Sequence, residues 1–133
     1  MNLKTIDEIL IKIKAIEFQE DFDTLVAIAR GGIFPAALLQ QKLMIDFEII
    51  WLNFRDEKQQ PQHDKPVLLK PITFDFKNKK ILLVDDRSRT GKTFVKGKSL
   101  LIGARLIKTF VVNGKADYPL FDEECFTFPW KMD

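Results

Sequence analysis

Dense apolar runs alternate with helix-periodic segments along this chain. Leu25-Val26-Ala27-Ile28-Ala29 and Ile81-Leu82-Leu83-Val84 are continuous apolar runs and read as strands buried on both faces. Phe47 to Leu52 and Leu106 to Val112 are β-rich and read as further strands, the latter parallel to the sheet. Val67-Leu68-Leu69 reads as a short strand, antiparallel at the sheet edge. Thr5-Ile6-Asp7-Glu8 is a capping box, with Ile6, Ile9, Leu10, Ile13 and then Ala15 or Ile16 at helical spacing. That helix is expected to run to about Phe18 and to pack on the sheet. A second helix spans Phe34 to Leu43 with Pro35 in its first turn. Phe94, Val95, Leu100 and Leu101 mark a third, ending near Gly103. Lys77-Asn78-Lys79 is a turn. Alternation of this kind predicts an α/β fold, a mostly parallel twisted sheet flanked by helices.

Asn53 to Lys65 breaks the pattern. It is polar, thirteen residues long and without apolar periodicity, as lids and disordered loops are. His63, the only histidine, lies in it and reads as solvated, since nothing in the sequence positions it.

Composition narrows the class. At 133 residues the chain, 1–133, is expected to be one domain with a proper core. Apolar residues are 46% and charged residues 30%, as in ordinary globular proteins. A net charge of +2 gives no reason to expect nucleic-acid binding. Cys125 is the only cysteine, so an internal disulfide is excluded and a reducing, cytoplasmic setting is expected. Acids and lysines among the first apolar residues make neither a signal peptide nor a membrane span. There is no internal repeat.

The candidate chemistry sits where the Ile81–Val84 strand gives way to Asp85-Asp86-Arg87-Ser88-Arg89-Thr90-Gly91-Lys92-Thr93. Ligands of open α/β sheets bind at the carboxyl ends of strands. A loop feeding a helix N-terminus offers backbone N–H groups and a positive dipole end to an anion. Ser88, Thr90 and Thr93 add hydroxyl donors, and Gly91 lets the backbone come close. One end of the ligand is therefore expected to be a phosphate. Two carboxylates cannot hold phosphate; they suit neutral hydroxyls or a metal ion. A phosphate beside a diol describes a ribose 5-phosphate.

Thr90-Gly91-Lys92-Thr93 looks like the tail of a P-loop, but that motif needs a glycine where Asp86 stands. A receiver domain is excluded by length, since only 48 residues begin at Asp86. A polar turn without a ligand is the plainer alternative, and two adjacent acids with no cation between them make it costly. Arg30-Gly31-Gly32, between the Leu25–Ala29 strand and the next helix, is either a tight connection or a second anion site.

Four apolar residues, two acids, a short spacer and Thr-Gly-x-Thr resemble the PRPP-binding signature of type I phosphoribosyltransferases, most of all the 6-oxopurine branch that includes xanthine-guanine phosphoribosyltransferase. Ala29-Arg30-Gly31-Gly32 and Pro35 are similar to that family's pyrophosphate loop, which implies a cis peptide before Arg30. The tail from Ala116 to Trp130, ending in Pro129-Trp130, resembles its purine-site segment. The resemblance implies that Arg30, Gly31, Asp85, Asp86, Ser88, Arg89, Thr90, Gly91, Lys92 and Thr93 bind PRPP. It implies that Asp85 and Asp86 are catalytic, orienting the ribose diol and meeting Mg²⁺ indirectly through PRPP. Cys125 and Phe126 fall in the base-binding segment, and the 53–65 loop becomes a lid in which Arg55 or Lys58 reaches pyrophosphate. The implied activity is transfer of ribose 5-phosphate from PRPP to a nitrogenous base, a purine, with release of pyrophosphate. The implied assembly is a homodimer, and the implied setting purine salvage.

The sequence also departs from the family. Arg89 stands where the 6-oxopurine branch has a proton-handling acid, Cys125 where it has a stacking aromatic, and Arg87 where it has an apolar residue. An arginine stays protonated and cannot act as a base. A non-catalytic PRPP- or nucleotide-sensing regulator is therefore the alternative reading.

Overall fold

The computed structural model describes residues 2–53 and 66–132. In chain order the elements are β1 (Asn2–Leu3), α1 (Ile6–Ala15), β2 (Thr24–Ala29), α2 (Ile33–Leu43), β3 (Phe47–Asn53), β4 (Val67–Leu68), β5 (Lys80–Ser88), α3 (Lys92–Leu100), β6 (Leu106–Gly114), β7 (Tyr118–Phe121) and β8 (Phe126–Thr127). Six strands form one sheet in the order β4-β3-β2-β5-β6-β7. Every pairing in it is parallel except β3 with β4, the antiparallel edge the sequence predicts. A separate parallel pair joins β1 to β8. Among the described residues no helix is long and apolar enough to cross a membrane.

The apolar runs divide residue by residue between the two faces, as the two-residue period of a strand requires. Leu25, Ala27, Leu82, Val84, Phe110 and Val112 point to one face, under α1, α2 and the C-terminal Phe126 and Phe128. Val26, Ile28, Ile81, Leu83 and Val111 point to the other, under Phe94 of α3 and Leu101. Gly97 lets α3 sit close, because a Cβ there would press on Leu83. Leu82 and Leu83 are wholly buried, and truncating either to alanine would cost about 2–5 kcal/mol.

This arrangement sets the site. β2 pairs with β5 only as far as Ala27 opposite Val84. β5 continues beside β6 to Ser88 opposite Gly114. The helix after β2 covers one face and the helix after β5 covers the other. A crevice therefore opens at the carboxyl ends of β2 and β5, the switch point where doubly wound sheets place ligands.

Three boundaries differ from the sequence reading. α1 ends at Ala15, because Ile16 turns to extended backbone and Phe18 packs its ring on Phe22, Phe110 and Tyr118. The acid pair lies within β5, whose pairing with β6 carries the strand on through Arg87 and Ser88. The chain after β6 forms β7 and β8, which the aromatic tail did not announce.

Candidate active site

Two strand-to-helix turns flank the crevice. After β2 the chain passes through a cis Ala29–Arg30 peptide, as the resemblance implies, into Arg30-Gly31-Gly32. Gly32 is held by its N–H on the Ile28 carbonyl at 2.7 Å, and a Cβ on it would strike the carbonyl of Val84. A Cβ on Gly31 would strike the carboxylate of Asp86. This turn is thus packed directly on the acid pair. After β5, exposed Arg89 and Thr90 lead to Gly91, whose φ of +79° favours glycine. Nothing lies within 4 Å of where its Cβ would be, so backbone conformation rather than crowding requires the glycine. Neither α2 nor α3 has a side-chain cap or an acidic residue in its first turn. Two positive helix ends thus carry no acid of their own to neutralise them.

Asp85 and Asp86 stand between these turns. The Asp86 N–H donates to Oδ1 of Asp85 at 2.8 Å. Burial, and then the neighbouring Asp86 carboxylate, push the Asp85 carboxyl well above the usual carboxylate range. Asp86 keeps 14% of its side chain exposed and faces Lys131 Nζ at 3.7 Å. Among the described residues no three histidine, cysteine or acidic side chains gather as a metal cage. Two adjacent carboxylates suit instead an ion held mainly by a phosphorylated substrate, as magnesium commonly is.

Beside the acid pair a cavity of about 350 Å³ opens. Its walls are Arg87, Ser88 and Arg89 from the end of β5, Asn113 to Lys115 from the end of β6, and Asp122 to Cys125 before β8. Lys115 donates to Asp122, and Lys4 pairs with Glu123 at 2.9 Å. Arg87 reaches the tail, where its Nη2 donates to the Phe126 carbonyl at 2.8 Å. Its guanidinium lies 4.7 Å above the Phe128 ring. Trp130 stacks on Phe128 at 5.0 Å and on Phe34 of α2 at 4.8 Å. The tail therefore bridges the acid pair, the cavity and the helix after the Arg30 turn.

Most of the residues singled out in the sequence converge here. Arg30, Gly31, Asp85, Asp86 and the turn from Ser88 to Thr93 share the carboxyl edge of the sheet. Ser88 belongs to β5 and is buried rather than carried on the loop. Cys125 lines the cavity, but the Phe126 ring does not. It is 0% exposed, edge-on to Phe121 and Phe128 in the core, because β8 pairs with β1 and turns it inward. Arg55, Lys58 and His63 lie outside the described residues. Lys131 and the role of Asn113 were missed. Nothing local in sequence marks a lysine near the C-terminus as the partner of an acid 45 residues earlier.

The phosphoribosyl transferase domain family matches residues 2–132. A purine phosphoribosyltransferase from Pyrococcus horikoshii superposes with a TM-score of 0.83 and 29% identity, over 99% of this chain and 94% of its own. A Neisseria gonorrhoeae protein solved with bound ppGpp gives 0.74 and 21%, over 98% and 89%. A Bacillus anthracis hypoxanthine-guanine phosphoribosyltransferase gives 0.71 and 21%, over 93% and 84%. Their likeness follows the same parallel sheet that brings the two turns and the acid pair together, and the chain belongs to the phosphoribosyltransferase domain family.

Proposed function

We propose that this protein transfers ribose 5-phosphate from PRPP to a ring nitrogen of a purine and releases pyrophosphate. The observation that carries this reading is the packing of the Gly31 turn directly on Asp86, opposite the Gly91 turn. One turn suits the pyrophosphate, the other the 5-phosphate, and the acids between them suit the ribose diol.

In the reaction the bond from ribose C1′ to the pyrophosphate oxygen breaks as the base nitrogen bonds to C1′, and the proton that nitrogen loses passes to solvent. Positive charge develops on the ribose ring. Asp85 and Asp86 hold the ribose hydroxyls and offset that charge. The Arg30 turn keeps the leaving pyrophosphate in place, and the cavity beside Arg87 and Arg89 presents the base. Mg²⁺, when bound, would be held mainly by PRPP and would neutralise pyrophosphate charge, with Asp85 and Asp86 meeting it through the ribose hydroxyls they orient. No side chain is assigned as general base. A homodimer and a cytoplasmic setting belong to the same proposal; sedimentation velocity measures the first.

Arg89, in the place of the family's acid, favours a second reading, a PRPP- or nucleotide-sensing regulator. Incubation with PRPP, Mg²⁺ and a panel of purines and pyrimidines separates the two. Base-dependent release of pyrophosphate is expected. Tight PRPP binding with no release from any base would leave the sensor.

A further inference from the structure

The cavity wall before β8 has little regular structure of its own. Asp122 to Cys125 connect β7 to β8 and are largely exposed, apart from Cys125. Besides the rim pairs of Lys4 and Lys115, its backbone is held from outside by two residues that are direct cross-strand partners, Arg87 on β5 and Asn113 on β6. Asn113 is 4% exposed. Its Nδ2 donates to the carbonyls of Glu123 at 3.2 Å and Glu124 at 3.4 Å, and its Oδ1 accepts the Glu123 N–H at 3.1 Å. Arg87 holds the next stretch, with Nη2 on the Phe126 carbonyl and its guanidinium over Phe128. Cys125 lies between the two attachments and on the cavity.

We propose that Arg87 and Asn113 are positioning residues, a two-point clamp that sets the wall of the acceptor site at Cys125. The inference rests on the reading that this cavity takes the acceptor base. The chemistry of each residue fits its part. An amide side chain donates to two carbonyls from its nitrogen while its oxygen accepts from an N–H, whereas a lysine at 113 would only donate and an aspartate carboxylate only accept. A planar guanidinium reaches a carbonyl edge-on while its face lies on an aromatic ring. Because the pair is opposite in register, any shift of β5 against β6 would pull the two attachments apart, so the strand pairing itself fixes their spacing.

The test is a split between the two substrates. Asn113→Ala and Arg87→Met should each raise the KM for the purine roughly tenfold, the scale of one or two lost hydrogen bonds. The KM for PRPP should stay within about twofold, since the direct contacts of both side chains go to residues 123–128 and not to the Arg30 or Gly91 turns. Arg87→Lys keeps a cation over Phe128 and should recover part of the loss; Asn113→Asp keeps only the acceptor and should not. Should either truncation fail to fold, the same split is read from these two milder variants. Amide exchange should quicken at residues 122–126 and stay unchanged at residues 92–97. Equal rises in both KM values, or unchanged exchange at 122–126, would overturn the clamp. A wild-type protein without transfer activity would overturn the transferase reading instead. The clamp would then be read from exchange and from calorimetric binding of GMP, IMP and AMP, which the variants should weaken.

Discussion

The two sides of this site are built from different materials. The phosphate side is backbone: two turns, glycines at points of close approach or positive φ, and the ends of two helices. The acceptor side is side chain: Arg87 and Asn113 reach out to hold a connector, and charged residues pair around the rim. Backbone recognition suits a ligand that never changes, because a phosphate needs N–H groups at fixed spacing. Side-chain recognition suits a ligand that differs between relatives, because one substitution redraws the pocket. The chain's departures from the family pattern, at Arg87, Arg89 and Cys125, all line the cavity of the second side, with Arg89 at its border with the Gly91 turn.

Breaking the phosphate side should give the largest effects. Gly31→Ala drives a methyl into the Asp86 carboxylate and should weaken PRPP binding on the order of 100-fold, near the upper end of overpacking costs. Calorimetric titration with PRPP and Mg²⁺ measures it; unchanged affinity would detach this turn from the acid pair. Asp86→Asn removes one charge-assisted contact and should slow turnover about 10- to 100-fold, for a loss of roughly 1.5–3 kcal/mol, with little change in Tm.

Asp85→Asn separates function from stability. The Asp85 carboxyl is pushed up by burial and by Asp86, so the folded state holds its proton more tightly than the unfolded chain does. Folding stability therefore falls as pH rises from the ordinary aspartate value, about 3.9, through the raised one. The asparagine variant lacks this loss. Its Tm should exceed that of wild type by a margin that grows across the window and holds above it, while turnover drops. A variant less stable than wild type at neutral pH would show that Asp85 is a structural acid.

Arg89 sharpens the acceptor side. It is exposed on the cavity wall at the family's acid position. If it meets an electron-rich or anionic edge of the base, Arg89→Asp should lower activity on the true acceptor about tenfold, the scale of one charge-assisted contact. A clear gain with guanine, xanthine or hypoxanthine would mean the acid was simply missing, since proton transfer is typically worth 10²–10⁴-fold. The smallest effect belongs to Lys131. Its pair with Asp86 is part-exposed, so Lys131→Met should change PRPP binding by less than about fivefold, as calorimetric titration measures.

The same contrast decides what the sequence could tell. Strands β2 to β6, the two turns and the acid pair lie in contiguous motifs that short-range spacing carries, whereas β1, β7 and β8 do not. The cis Ala29–Arg30 bond was reached by resemblance alone. The acceptor side joins positions 4, 87, 113, 123, 126 and 131, which no local pattern links. Phe126 misled because aromatic character does not say which way a short strand turns its ring. The end of the 106–112 strand near Asn113 reads from sequence as lying on the ligand side of the sheet, but the holding role of Asn113 does not, because a buried amide acts only through the loop it holds.

Phosphorus NMR of the wild-type protein with PRPP, Mg²⁺ and one purine at a time tests the central claim most directly. The 1-pyrophosphate signals of PRPP should give way to free pyrophosphate and a nucleoside 5′-monophosphate, with at least one purine and not without it. PRPP signals that broaden or shift on binding, yet persist with every base offered, would contradict it.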